Sequence, residues 1–143
     1  MEKEHKDLVI TDLCGRLPHG VKVHAKYVEL GETVELDAIV KMIDADGVVG
    51  IEVNNDFSSA WTCVNIDNVK PYLFPISSMT AEQKIEYRKA CKLDMEILSK
   101  HPLDGTPFPA LYNSQDWLNK NNFDYRGLIP QGLAKDATGL NIY

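Results

Sequence analysis

The residues able to carry chemistry are few and poorly spaced for it. Cys14, His19 and His24 follow one another as C-x4-H-x4-H. Structural zinc sites bring their four ligands in closer pairs, so this spacing predicts no metal centre. "DADG" (44–47) opens like a calcium loop, but the later acidic ligand is missing, and the stretch reads as a turn. The chain has no G-x-S-x-G elbow, no glycine-rich phosphate loop and no activating sequence around Cys14, Cys63 or Cys91. Glu35 and Asp37 share a strand face and could work as a carboxylate pair. Lys22, His24 and Lys26 alternate on the preceding strand and would lie across from them, so cross-strand ion pairing is the expected role. These residues predict a non-enzymatic protein with no catalytic residues, cofactor or metal. A hydrolase would have to draw on Glu35, Asp37 or a cysteine.

Two aromatic clusters are better suited to recognition. Phe57 and Trp61 fall at the loop between the third and fourth predicted strands, a place where barrel proteins often bind partners. The competing reading, and the favoured one, packs Trp61 beneath the long helix. The second cluster is Asp124, Tyr125 and Arg126 in "NNFDYRGLIPQGLA" (121–134). Tyr and Arg are favoured binding anchors, and a guanidinium clasps carboxylate or phosphate with two hydrogen bonds. The structural alternative has Asp124 capping a turn, Tyr125 covering the core and Arg126 pairing with an acid. Charge balance favours that alternative. A nucleotide site would combine Arg126 and Tyr125 with Trp61 or Lys22.

Charge narrows the partners. Residues 1–80 carry 7 Lys and Arg against 13 Asp and Glu, whereas residues 81–143 carry 8 of each. An acidic front half repels a phosphate backbone, so no nucleic acid is expected and a basic or mixed protein surface fits better. No apolar run approaches the roughly 18 residues of a membrane span, and the charged start "MEKEHKDLVITDL" is unlike a secretory signal. Cytoplasmic residence with no membrane contact is the expectation. The three cysteines form no C-x-x-C pair, which predicts reduced, mostly buried thiols, with Cys63 and Cys91 on apolar faces.

These groups are positioned by an α+β pattern. "ITDLCGRLPHG" (10–20) predicts a short helix starting near Thr11 or Asp12 and stopping before Pro18. Period-two alternation predicts strands over 21–28, 33–43, 48–53 and 60–66, joined by "LGET", "DADG" and "NNDFSS". In the second of these, Val34, Leu36, Ala38, Val40 and Met42 share one face. "VKPYLFPIS" (69–77) holds two prolines and predicts an edge strand or extended exit. Four or five meandering strands predict a small β-barrel, or a strongly bent open sheet, over 1–78. Thr80 and Gln83 form a capping box for a helix over about 81–99, and Ser114 can cap a short helix, "QDWLNKNN". Residues 79–143 are expected to pack on the barrel as a helical extension, in one compact unit, with Phe123, Leu128, Ile129 and Leu133 fastening the tail.

"DLCGRLPHGVKV", "KPYLFPISSMTAEQK" and "DWLNKNNFDYRGLIPQGLA" together resemble a family of small uncharacterised proteins on Bacteroides phages, prophages and other mobile elements. The resemblance covers roughly half the chain. Pro130 stands where the family pattern leads to an acidic or polar helix former. The family carries no assigned catalytic residues. The setting implies a binding protein that blocks or sequesters a host component in the bacterial cytoplasm, with a host protein as leading partner and a counter-defence role. A nucleotide second messenger, held by an oligomer, is the alternative.

Overall fold

In the computed structural model, residues 1–54, 59–109 and 112–143 are described. Helix α1 (Lys3–Arg16) leads into strands β1 (Lys22–Glu29), β2 (Glu32–Ile43), β3 (Val48–Asn54), β4 (Ser59–Asn65) and β5 (Val69–Pro75). Helices α2 (Ala81–Lys100) and α3 (Asn113–Lys120) follow, then two short strands, β6 (Phe123–Asp124) and β7 (Lys135–Asp136). The strands join in the order β4-β3-β2-β1-β5-β6, with β7 also on β5. The meander is antiparallel, whereas β6 and β7 add to β5 in parallel.

This mixed sheet corrects the expected barrel of four or five strands. β4 and β6 end the path without pairing to each other, so the sheet is open and larger than the alternation implied. β5 is not an edge strand, because β1 lies along its first half and β6 and β7 along its second. Its prolines are tolerated by position: Pro71 is the last residue paired to β1, and Pro75 ends the strand. The first helix begins eight residues earlier than the start predicted at Thr11, its leading turns being charged and mostly exposed.

The core lies on one face of the sheet. Val9 and Leu13 of α1 pack there with Val23 and Ala25 of β1, Val49 and Ile51 of β3, and Leu73 of β5. Leu128, Leu133 and Ala134 close it from the tail. At ~0.025 kcal/mol per Å² of apolar surface removed from water, this layer is the principal stabilising element.

β2 departs from simple alternation. Val40 pairs with Ile51 and Met42 with Gly50, leaving Lys41 as a bulge. The extra residue turns Met42 out of the core face to which alternation assigned it, and it stands exposed. On β4, Val64 faces the core, so Trp61 and Cys63 point outward. Trp61 is 57% exposed rather than buried beneath a helix. A side chain at Gly50 would meet the Trp61 ring at 3.2 Å. Cys14 and Cys63 are exposed and Cys91 half-buried, which corrects the expectation of core thiols.

A second, smaller cluster seats the helices. Met79, Leu118 and Phe123 pack with Phe74, Tyr87, Trp117 and Tyr125, and the Trp117 and Phe123 rings stack at 5.6 Å. The capping box at Thr80 and Gln83 starts α2. α3 is capped from a distance rather than by Ser114. Asp94 of α2 accepts the Asn113 and Ser114 backbone N–H groups, each at 2.9 Å.

Candidate functional site

The sheet face opposite the core carries the charge. The β1–β2 register sets His24 against Asp37 and Lys26 against Glu35, as the alternation predicts, and the β1–β5 register sets Lys70 on the other side of His24. His24 Nε2 lies 2.9 Å from Glu35 Oε1, and Nδ1 lies 3.1 Å from Asp37 Oδ1. A neutral imidazole has one N–H and donates to one of these oxygens, whereas an imidazolium donates to both. The Tyr72 hydroxyl donates to the same Asp37 oxygen at 2.8 Å. Lys26 Nζ stands 3.4 Å from Glu35 Oε2.

The electrostatics follow from these contacts. Lys26, then His24, hold the Glu35 carboxyl below its usual value. Burial opposes ionisation of Asp37, but the hydrogen bonds from Tyr72 and His24 outweigh it, and that carboxyl is also lowered. Burial, reinforced by the Asp37 carboxylate, pushes the Tyr72 hydroxyl up to about 12. Chemically this is a holding site. Both His24 nitrogens lie against carboxylates, and the Tyr72 hydroxyl is committed as a donor to Asp37.

Beside His24 the surface opens into a cleft of about 330 Å³, rimmed by Lys26, Lys70, Lys135, Asp67 and Asn68. Lys135 reaches it from β7 and lies over the Tyr72 ring, 5.9 Å from its centre. Sequence reasoning found His24, Lys26, Glu35 and Asp37. It missed Tyr72, Lys70, Lys135, Asp67 and Asn68, which arrive from β5, β7 and the short turn before β5. The only prior sign of that set was the polar parity of Lys70 and Tyr72 along one strand.

The residues predicted for binding are mostly occupied in structural work. Both carboxylate oxygens of Asp124 accept backbone N–H groups, from Leu128 and Ile129, at 2.8 Å each. The Tyr125 hydroxyl donates to Asn119 Oδ1 at 2.9 Å and accepts from Gln115 at 3.2 Å. The guanidinium groups of Arg16 and Arg126 stand over its ring, 5.4 and 5.0 Å from the centre. Arg126 Nε is 3.5 Å from Asp12. That carboxylate is held mainly by Arg16, fully buried, through bonds of 2.7 and 2.9 Å. Arg16 also donates to the Phe123 carbonyl at 2.7 Å.

Lys22 belongs to a different contact. Its ammonium donates to the Ile142 carbonyl and lies 5.7 Å from the centre of the Tyr143 ring. The Tyr143 hydroxyl accepts from Lys22 N at 3.1 Å and donates to the Tyr72 carbonyl at 2.8 Å, strapping the C-terminus to the sheet. Trp61 stands apart on β4, and Phe57 lies outside the described residues. The structure thus joins Tyr125, Arg126 and Asp124 to the α1 contact and puts Lys22 and Trp61 elsewhere.

Among the described residues, no group of three His, Cys, Asp or Glu side chains is arranged to hold a metal ion, and no helix is long and apolar enough to cross a membrane. No protein-family model matches the chain, nor does any curated protein or solved structure.

Proposed function

We propose that the protein is a non-enzymatic binding protein of phage or mobile-element origin that docks onto a host protein in the bacterial cytoplasm, in a counter-defence role. One observation carries this reading: α2 runs for 20 residues without a single buried side chain. Helices in proteins draw most of their stability from packing one face. Here one side is half-covered by α3, with the Tyr87 and Trp117 rings 5.7 Å apart. Ile85, Leu93, Met95 and Leu98 stay exposed on α2, and Leu103, Phe108 and Tyr112 stay exposed on the connector. Exposed apolar side chains gathered on one helix and its connector mark an interaction site, and the same helix carries Lys84, Arg88, Lys89 and Lys92, cations that acidic groups on a partner would complement.

The test is affinity recovery from host cells with the wild type and with a Met95→Asp/Leu98→Asp double variant, each checked for folding by circular dichroism. One specific host protein, retained by the wild type and lost by the double variant, is the expected result. A partner that binds both equally, or a wild type with no partner and no effect on infection, would overturn the proposal.

A further inference from the structure

We propose that the cleft beside His24 binds a small phosphorylated polyol or sugar, its phosphate held by Lys70 and Lys135 and its hydroxyls by Asp67 and Asn68. The argument begins with which charges are already spoken for. Glu35 is held by Lys26 and His24. Asp37 is held by Tyr72 and His24. Asp67 lies 3.8 Å from the N-terminal ammonium. Lys70 and Lys135, by contrast, form no close ion pair among the described residues, Lys135 acting on Asp37 only at longer range. The uncommitted charge lining the cleft is therefore positive, in a chain whose net charge is −6. Lys70 and Lys135 line the same cleft, and an anion between two like charges is attracted by both. Lysine binds phosphate as a compact point charge, and a phosphate monoester carrying about −1.5 to −2 at neutral pH matches two such groups.

Size and lining narrow the ligand. The cleft is at the small end of the ~300–1,000 Å³ range of ligand pockets, enough for one phosphate and a short carbon chain. No aromatic face is open to stack a base. Tyr72 is covered by Lys135 and met edge-on by His24. The groups left at the rim, the Asp67 carboxylate and the Asn68 amide, suit hydroxyls.

Calorimetric titration with ribose 5-phosphate, inorganic phosphate, ribose and adenosine monophosphate tests the assignment on the wild type and on Lys70→Ala, Lys135→Ala and Lys70→Arg. The α2 face is left untouched, so the result is independent of host-protein docking. Expected are binding of ribose 5-phosphate that weakens with salt, a loss of about tenfold in each alanine variant, partial recovery in Lys70→Arg, and no binding of ribose. Both lysines point outward from the sheet, so these variants keep the fold. Absence of binding, or binding indifferent to both lysines, would overturn the site. Inorganic phosphate binding as tightly as ribose 5-phosphate, or adenosine monophosphate binding more tightly, would overturn the ligand class.

Discussion

Arg16→Met isolates the buried charge on which α1 and the C-terminal tail meet. Methionine keeps much of the apolar stem while removing the guanidinium and its three hydrogen bonds, two to Asp12 and one to the Phe123 carbonyl. Asp12, fully buried, would keep only Arg126 as a cation, at 3.5 Å and without a hydrogen bond. Removing one partner of a buried ion pair costs about 3–5 kcal/mol, because the other charge is left uncompensated. Arg126 takes up part of that charge, so the expectation is the lower end, about 3 kcal/mol. Arg126→Met is the control: its side chain is 24% exposed, and a loss of about 0.5–1 kcal/mol is expected. Arg16→Met combined with Asp12→Asn removes the stranded carboxylate and should cost at least ~1 kcal/mol less than the two single losses added. Urea denaturation, followed by circular dichroism and tryptophan fluorescence, gives all four values. Arg16→Met lying within about 1 kcal/mol of wild type, or strict additivity in the double variant, would refute the reasoning.

Two further outcomes rest on local geometry. The β1–β2 turn places both Leu30 and Gly31 at positive φ, 50° and 85°, a conformation that suits Asn-Gly and costs a leucine about 1 kcal/mol; since Leu30 is fully exposed, Leu30→Asn should raise stability by ~0.5–1 kcal/mol in the same denaturation assay. Hydrogen bonds from Ser114 and Asn113 overcome the cost of burial and hold the Asp94 carboxyl at about 2. A depressed folded value means that this stability is present above the ordinary aspartate range and is lost as pH falls toward 2. Asp94→Asn should therefore cost about 1 kcal/mol at neutral pH, as a lost helix cap does, and flatten the acid limb of a stability–pH profile between roughly pH 4 and 2. An unchanged acid limb would show that the cap does not supply this term.

The parts legible in the sequence are those decided between near neighbours. Alternation located β1 to β4 to within a residue or two, and the cross-strand placement of Glu35 and Asp37 against Lys26 and His24 followed from it directly. The Thr80–Gln83 box marked the start of α2 because both capping bonds close within three residues. Errors arose where a distant element intervened. The bulge at Lys41 reversed the facing of Met42 because it depends on pairing with β3. Ser114 lost the expected cap to Asp94, twenty residues earlier in the chain. In "FDYRG" the favoured structural roles, Asp124 as a turn cap and Arg126 beside an acid, were legible, but not the contact with Arg16, 107 positions away.

By itself, the sequence determined the α+β class, the meander and the polar face of β1, because side-chain period and turn chemistry act over a few residues. Only the tertiary structure decided that the sheet stays open, that β6 and β7 extend it in parallel, and that Lys70 and Lys135 converge on His24. Those outcomes depend on which buried faces meet, and that free energy does not exist until residues far apart in the chain are brought together.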